Sequence, residues 1–349
     1  MSKAKFGLLI SQSGPTGLWA PSSINSAVLA AAEANAAEGI FGSEVELLIR
    51  DAGWASESAV TAAQDMVDNG ASAIVGMMAS NSRRGVSFAL AGKVPFIYTP
   101  NFEMDTPEPT IATGSTDDLL IEPFLEWIEQ NLGARRFFIV GSDYRWPRRT
   151  MPMCAKMITS RAGQVVGMMA RPIGTEDTWD DHAVETIKQA NPDVVIVFLV
   201  GDQSIPFYRA FARAGLSKMI PRCAIATDES VLCALSQNES DGLYACANYF
   251  ASARTTPNCG FMERYWSTFG EYAPIPNAYG QSCYEGLNFA FALAKAATCG
   301  SAQPLLTLPP RKVSFKSARF DTKDANLGTR KPVLVAQAKG MCFDVLARL

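Results

Sequence analysis

Histidine is nearly absent: the 349 residues contain one, His182. Imidazole is the side chain that most often binds metals and moves protons near neutral pH. Metal sites, triads and proton relays built on histidine therefore have almost no material here. The eight cysteines (Cys154, Cys223, Cys233, Cys246, Cys259, Cys283, Cys299 and Cys342) include no C-x-x-C spacing, and a zinc site needs ligands paired at short spacing. Most stand in apolar runs such as LYACANYF and GQSCYEG. They read as buried, reduced thiols rather than as a disulfide framework, which a chain of this length does not need. Charge of neither sign dominates: 31 Lys and Arg face 34 Asp and Glu, for a net charge of -3. No basic surface advertises nucleic acid or an anionic membrane. No run of about 18 apolar residues occurs, which excludes a membrane-spanning helix. The phosphate loop G-x-x-x-x-G-K-[ST], a G-x-G-x-x-G after the first strand and the G-x-S-x-G elbow are missing as well. His182 lies in TWDDHAVETI and reads as an exposed helix residue, and no Asp/Glu pair stands out. No catalytic residue, cofactor or metal is expected.

What is present is an ordinary globular composition, with 48% hydrophobic and 19% charged residues. Single cores stop growing near ~250–300 residues, so the length suits two. The opening MSKAKFGLLISQSG has too short an apolar stretch for a secretory signal, and FGLLI reads as a first strand. Two compartments stay open: the cytoplasm if Met1 is the native start, the periplasm if a signal segment has been removed. Thereafter short apolar runs alternate with helical stretches. FGLLI, VELLIRDAG, SAIVG (72–76) and VPFIYTP (94–100) are strands of a first series, and Ser56 is placed to cap a helix that stops at Gly70. After a break near 115–118 a second series begins with a helix over 119–132. Its strands are 135–141, 163–169, 194–201, 223–227 and 242–250, with helices from Thr178, Ser204 and Glu229. Pro147 suits a first helical turn. Helices over 257–271 and 276–298 follow, then RKVSFKSARFD and KPVLVAQAKGMCFDVL alternate like antiparallel strands. Alternating strands and helices mean parallel sheets covered on both faces. The predicted fold is α/β, with two doubly wound parallel-sheet domains.

Ligands of such sheets bind beyond the carboxyl ends of the strands. Loop 77–84 offers Ser80, Asn81 and Ser82 before a helix whose free N–H groups suit a carboxylate or amide oxygen; simple N-caps explain them too. Loop 98–103 offers Tyr98, Thr99, Pro100, Asn101, Phe102 and Glu103, and loop 142–148 offers Asp143, Tyr144, Arg145, Trp146 and Pro147. These aromatic loops fit either the walls of a cleft or domain packing. Asp202, Gln203, Ser204, Thr227, Asp228 and Glu229 place acceptors where an amino or amide group could donate, or they are helix caps. The pairs Arg83–Arg84, Arg135–Arg136 and Arg148–Arg149 read as solvated faces.

Four stretches resemble one family: FGLLISQSG with Ser11 and Gly14, GMMASNSRR with VPFIYTPNFE, GSDYRWPRRT, and SARFDTKDANLGTRKPVLVAQAKGMCFDVL. Together they resemble the type I periplasmic-binding-protein family, in its branched-chain amino-acid, amide and urea branch, over nearly the whole chain. GSDYRWPR is most similar to the urea-binding and amide-sensing members. The chain departs from them at Met78, where an aromatic residue is usual, at NFEMD, and at Trp146, where Tyr or Phe is common. The resemblance implies lobes at 1–117 plus 251–327 and 118–250 plus 328–349. They would be joined by three crossings and close on a small ligand like a hinged trap. It implies contacts from Met78, Ser80, Thr99 and Pro100 of one lobe and Tyr144, Trp146, Asp202, Thr227 and Asp228 of the other, with Asp202 or Asp228 available to an ammonium group.

The expected function is non-catalytic binding of a short amide, urea or amino acid for an ABC importer, with its permease as partner. The alternative is a cytoplasmic amide-responsive sensor whose partner is a regulator protein. Neither inserts into a membrane or binds nucleic acid directly. Trp146→Ala and Thr99→Val are expected to weaken binding without unfolding the protein.

Overall fold

A computed structural model describes residues 3–103, 109–174, 178–297, 305–306, 309–322 and 324–349. Cys299 and residues 104–108 of the NFEMDTPEPT loop lie outside the described residues. The chain divides into two compact units, Met1–Ser115 with Arg254–Lys331, and Thr116–Ala253 with Pro332–Leu349.

In chain order the first unit opens with β1 (Ala4–Ile10), α1 (Ala20–Ala36), β2 (Val45–Asp51), α2 (Ser56–Asp68) and β3 (Ile74–Met77). Helix α3 (Ser80–Leu90) and strands β4 (Phe96–Tyr98) and β5 (Ile111–Ala112) complete this series. The second unit holds α4 (Asp118–Leu132), β6 (Arg136–Ser142), α5 (Arg145–Ser160), β7 (Gln164–Arg171) and α6 (Thr178–Ala190). It continues with β8 (Val194–Phe198), α7 (Ser204–Arg213), β9 (Arg222–Ala224), α8 (Glu229–Leu232), α9 (Gln237–Ser240) and β10 (Leu243–Ala247). The chain then returns to the first unit with α10 (Thr256–Phe269), α11 (Ala278–Ala296), β11 (Phe315–Lys316) and β12 (Asp324–Ala325). It ends in the second with β13 (Leu334–Lys339) and β14 (Cys342–Arg348).

The first unit's sheet runs β2-β1-β3-β4-β5, every pair parallel. Its two faces can be read from adjacent residues of β1, which point to opposite sides. Phe6 meets Phe291 of α11 edge to face at 4.9 Å. At Gly7 any β-carbon would sit 2.7 Å from the Met66 sulfur of α2. Helix α11 thus covers one face and α2 the other.

The second unit's sheet runs β14-β13-β10-β9-β8-β6-β7. All its pairs are parallel except β10–β13 and β13–β14. Arg222 in β9 is buried under Phe211 of α7, while Tyr244, its neighbour's partner in β10, meets Trp127 of α4 at 5.5 Å. Here too helices cover both faces. The chain's terminal hairpin forms as its alternation predicts. RKVSFKSARFD contributes only the two residues of β11, paired with β12.

Two local expectations need correction. Ser56 is the first residue of α2 rather than its cap, because extended Ala55 takes the cap position. Ser58 instead donates to the carbonyls of Ala52 and Ala55, each at 2.8 Å. The seven described cysteines are free, but Cys233, Cys259 and Cys342 are exposed; only Cys154, Cys223, Cys246 and Cys283 are buried as expected. His182 is exposed on α6, as read from the sequence.

Candidate functional site

The order of strands in each sheet marks where a ligand belongs. In the first unit, β1 is followed by β2 on one side, and the chain then returns to place β3 on the other. In the second, β6 is flanked by β7 and β8 in the same way. Loops leaving the carboxyl ends of such a strand pair diverge to opposite faces and leave a crevice. Each sheet thus has one such crevice.

In the first unit, β3 delivers Met78, and extended Ala79 turns the chain into α3. The first N–H groups of a helix have no intrahelical acceptor and carry partial positive charge. The Ser80 hydroxyl stands there, buried, with no hydrogen-bond partner among the described residues, and neither has the Asn81 carboxamide oxygen. The Asn81 amide nitrogen donates to the Trp54 carbonyl at 2.8 Å. Tyr98 ends β4 and donates its hydroxyl to the Met78 carbonyl at 2.9 Å. Thr99 is buried and accepts from the Ser282 hydroxyl of α11 at 3.1 Å, and Pro100 is buried beside it. The structure therefore brings Met78, Ser80, Asn81, Tyr98, Thr99 and Pro100 into one corner, with Ser80 and Asn81 holding the free polar atoms. Thr99 is part of the packing, so Thr99→Val acts on the α11 contact as well as on any ligand.

The loop after β1 carried the family resemblance through Ser11 and Gly14 but was assigned no contact from the sequence, yet it borders the same crevice. Asp51, at the end of β2, accepts from the backbone N–H groups of Gln12 and Gly53, both at 2.8 Å, and from the Ser13 hydroxyl at 3.1 Å. Burial opposes ionisation there, but these donors prevail and hold its pKa below the usual carboxylate range. The loop so fixed carries the Thr16 hydroxyl and the Trp19 indole N–H, both buried without a partner among the described residues. Trp19 stacks on Tyr279 at 3.8 Å and 28°. A tryptophan in a Gly- and Pro-containing loop directly after the first strand was the available signal.

In the second unit, Tyr144 is half-buried at the cap of α5, its ring 6.4 Å from that of Trp146. Trp146 is buried: its indole N–H donates to Asp117 at 2.7 Å, the Thr150 hydroxyl donates to the same oxygen at 2.7 Å, and Phe198 lies edge-on at 5.6 Å. Replacing such a side chain by alanine costs about 3–5 kcal/mol. Trp146→Ala is therefore a perturbation of the fold, contrary to expectation, and Tyr144→Ala is the cleaner probe. Asp202 is exposed in the loop after β8; the packing round its carboxyl raises its pKa, while Arg171 and a backbone hydrogen bond at Gln203 oppose the rise. Beside it the Gln203 carboxamide oxygen is buried without a partner among the described residues. Thr227 shares a hydrogen bond of 2.7 Å with the Tyr208 hydroxyl, and Asp228 caps α8 by accepting from the N–H groups of Ser230 and Val231 at 3.0 and 3.4 Å. The structure thus gathers Tyr144, Asp202 and Gln203 at the crevice of this sheet and gives Trp146, Thr227 and Asp228 internal partners.

One of the three arginine pairs departs from a solvated face. Arg83 is buried with Glu103 at 3.6 Å, because the aromatic rings of Tyr98 and Phe102 flank its guanidinium. Arg84, Arg148 and Arg149 are exposed. A hollow of about 290 Å³ lined by Val94, Pro95, Phe96, Pro109 and Ile111 lies at the opposite, amino-terminal end of β4 and β5. Among the described residues no cluster of three or more His, Cys, Asp or Glu is placed to hold a metal ion. None of the described helices is long and apolar enough to cross a membrane.

Solved structures of the same fold are numerous. A solute binding protein of an ABC transporter from Rhodopseudomonas palustris BisB5, in complex with 3,4-dihydroxybenzoic acid, superposes with a TM-score of 0.85 at 19% identity, covering 99% of this chain and 98% of that one. The leucine binding protein LivK from Thermotoga maritima MSB8 gives 0.83 at 17% identity over 99% and 98%. An R. palustris solute binding protein in complex with benzoate gives 0.84 at 17% over 99% and 96%. The fold is that of the type I periplasmic binding proteins, as the sequence led one to expect. The periplasmic binding protein family itself matches residues 3–325, so the chain belongs to that family.

Proposed function

We propose that this protein is the non-catalytic solute-binding component of an ABC importer, and that it takes a small solute with a carboxylate or carboxamide head. The observation that carries the reading is the group of unmatched polar atoms on the loops after β1 and β3. Ser80 and Asn81 after β3, and Thr16 and Trp19 after β1, are buried without partners among the described residues. All four border the crevice of the strand pair where the order of the sheet reverses. A buried polar atom left unsatisfied costs about 1–3 kcal/mol, and a bound head group would complete several at once. In the second unit Gln203, Asp202 and the Tyr144 ring would offer an acceptor set and an apolar wall. A short amide, urea or an amino acid fits these groups, and so does a small aromatic acid like those bound by the R. palustris proteins. A periplasmic location and a membrane permease as partner follow from this role.

Ligand binding to the folded state alone raises the melting temperature with concentration. Thermal-shift titrations with benzoate, 4-hydroxybenzoate, leucine, acetamide and urea should show such a rise for at least one. Ser80→Ala should melt like the parent when free and lose most of the shift. No shift from any of the five, or an unchanged shift in Ser80→Ala, contradicts the reading.

A further inference from the structure

Arg83 is the fourth residue of α3, and its guanidinium stands over the Tyr98 ring at 5.4 Å and over the Phe102 ring at 5.2 Å. The two rings meet edge to face at 6.5 Å and 85°. Its Nη1 lies 3.6 Å from the carboxylate of Glu103, and both residues are only 4% exposed. One side chain therefore touches the end of β4, the loop behind it and that loop's carboxylate. Its backbone belongs to the helix that begins with Ser80. The Phe102 N–H donates to the Ser115 carbonyl at 3.0 Å, and the Thr99 N–H to the Gly76 carbonyl at 3.0 Å, so the loop is tied at one end to β3 and at the other to the segment that follows β5.

Burying an ion pair brings little net stability compared with an apolar pair of similar volume. What it does bring here is a fixed geometry between two segments. Cation–ring contacts desolvated in this way add directional attraction. A site whose groups are already in place loses less ordering entropy on binding.

We propose that Arg83 is a positioning residue of the solute site. It holds the Tyr98–Glu103 loop against α3, so that Ser80 and the Thr99–Pro100 turn keep a fixed separation before the solute arrives, and it does not touch the solute itself. This inference rests on the solute-binding reading above.

The test is the paired variant Arg83→Met with Glu103→Gln, which removes both charges and keeps the bulk. Amide hydrogen exchange at Thr99 and Phe102 is followed in the ligand-free protein, with global melting as control. Dissociation constants are measured for benzoate and acetamide. The paired variant should melt within a few degrees of the parent, exchange these two amides about tenfold faster and bind the probe about tenfold more weakly. Parent-like exchange or parent-like affinity in the paired variant overturns the inference. Arg83→Lys keeps the charge but lacks the planar group that meets both rings. It should show the same two changes at smaller size, and it decides the matter if the paired variant does not fold; parent-like values in it are then the overturning result. A parent that binds neither probe and none of the other three solutes removes the solute-binding reading, and this inference with it.

Discussion

Glu229 shows how far one residue can depart from its ordinary chemistry. It follows the α8 cap Asp228, is completely buried, and accepts the Ala251 N–H at 2.8 Å. Burial first, and the neighbouring Asp228 second, push its pKa from 4.5 up to about 8. A carboxyl whose folded pKa is raised is neutral in the folded state over a range where the unfolded chain ionises. Its contribution to stability is complete below about 4.5 and is lost progressively as pH rises towards 8. Glu229→Gln keeps an acceptor for Ala251 and cannot ionise. Its melting temperature should match the parent's near pH 4.5 and exceed it by a growing margin up to pH 8, read by calorimetry across that range. A constant margin would show that Glu229 does not titrate there. The sequence displayed this acid only as one of several acceptors in a loop. Nothing in TDES says which carboxylate is walled off from water, because that depends on residues around Ala251 arriving from elsewhere in the chain. The same reason hid Arg83, whose aromatic neighbours lie 15 and 19 positions away. Ser80 and Asn81 were legible because the positions of a helix start and of the strand before it are local facts.

At the scale of elements, the contact of α11 with the sheet is a close constraint on the corner that holds Thr99. A β-carbon at Gly286 would meet Thr99 at 2.7 Å and Val75 at 2.9 Å. Both are β-branched side chains with little freedom to turn away. Replacing a helical glycine by a larger residue usually gains from helix propensity, but overpacking a core costs typically about 1–3 kcal/mol, and here the second effect should win. Gly286→Val should lower the urea midpoint accordingly, without changing the steepness of the transition; a midpoint equal to the parent's would mean that α11 can move off the sheet freely. The strands and helices themselves were legible from alternation and helical periodicity, whereas the order of strands within each sheet comes from the structure. The approach distance of α11 was not legible, since it is set by packing across 187 positions between Thr99 and Gly286.

On the scale of the whole molecule, neither unit is continuous in the chain. The first takes its α10 and α11 from beyond residue 253, and the second takes β13 and β14 from beyond residue 331. Ending the chain at Lys331 would strip β10 of its antiparallel neighbour and leave an open sheet edge, a known template for aggregation. Such a truncation should render the second unit sensitive to protease and prone to associate, while the first unit keeps its elements; limited proteolysis followed by mass analysis reads this directly. Equal resistance in both units would show the hairpin to be dispensable. Discontinuity also sets a timetable. Phe6 leaves the ribosome early, but the helix bearing Phe291 that shields it comes only after all of Thr116–Ala253. From Phe6 to Phe291 is 285 positions, so at about 5–20 residues per second that apolar face stays uncovered for roughly 14–57 s. The newborn chain therefore passes through an interval when it is sticky and incomplete, long enough for a chaperone to find it or for a translocation machine to take it up still unfolded.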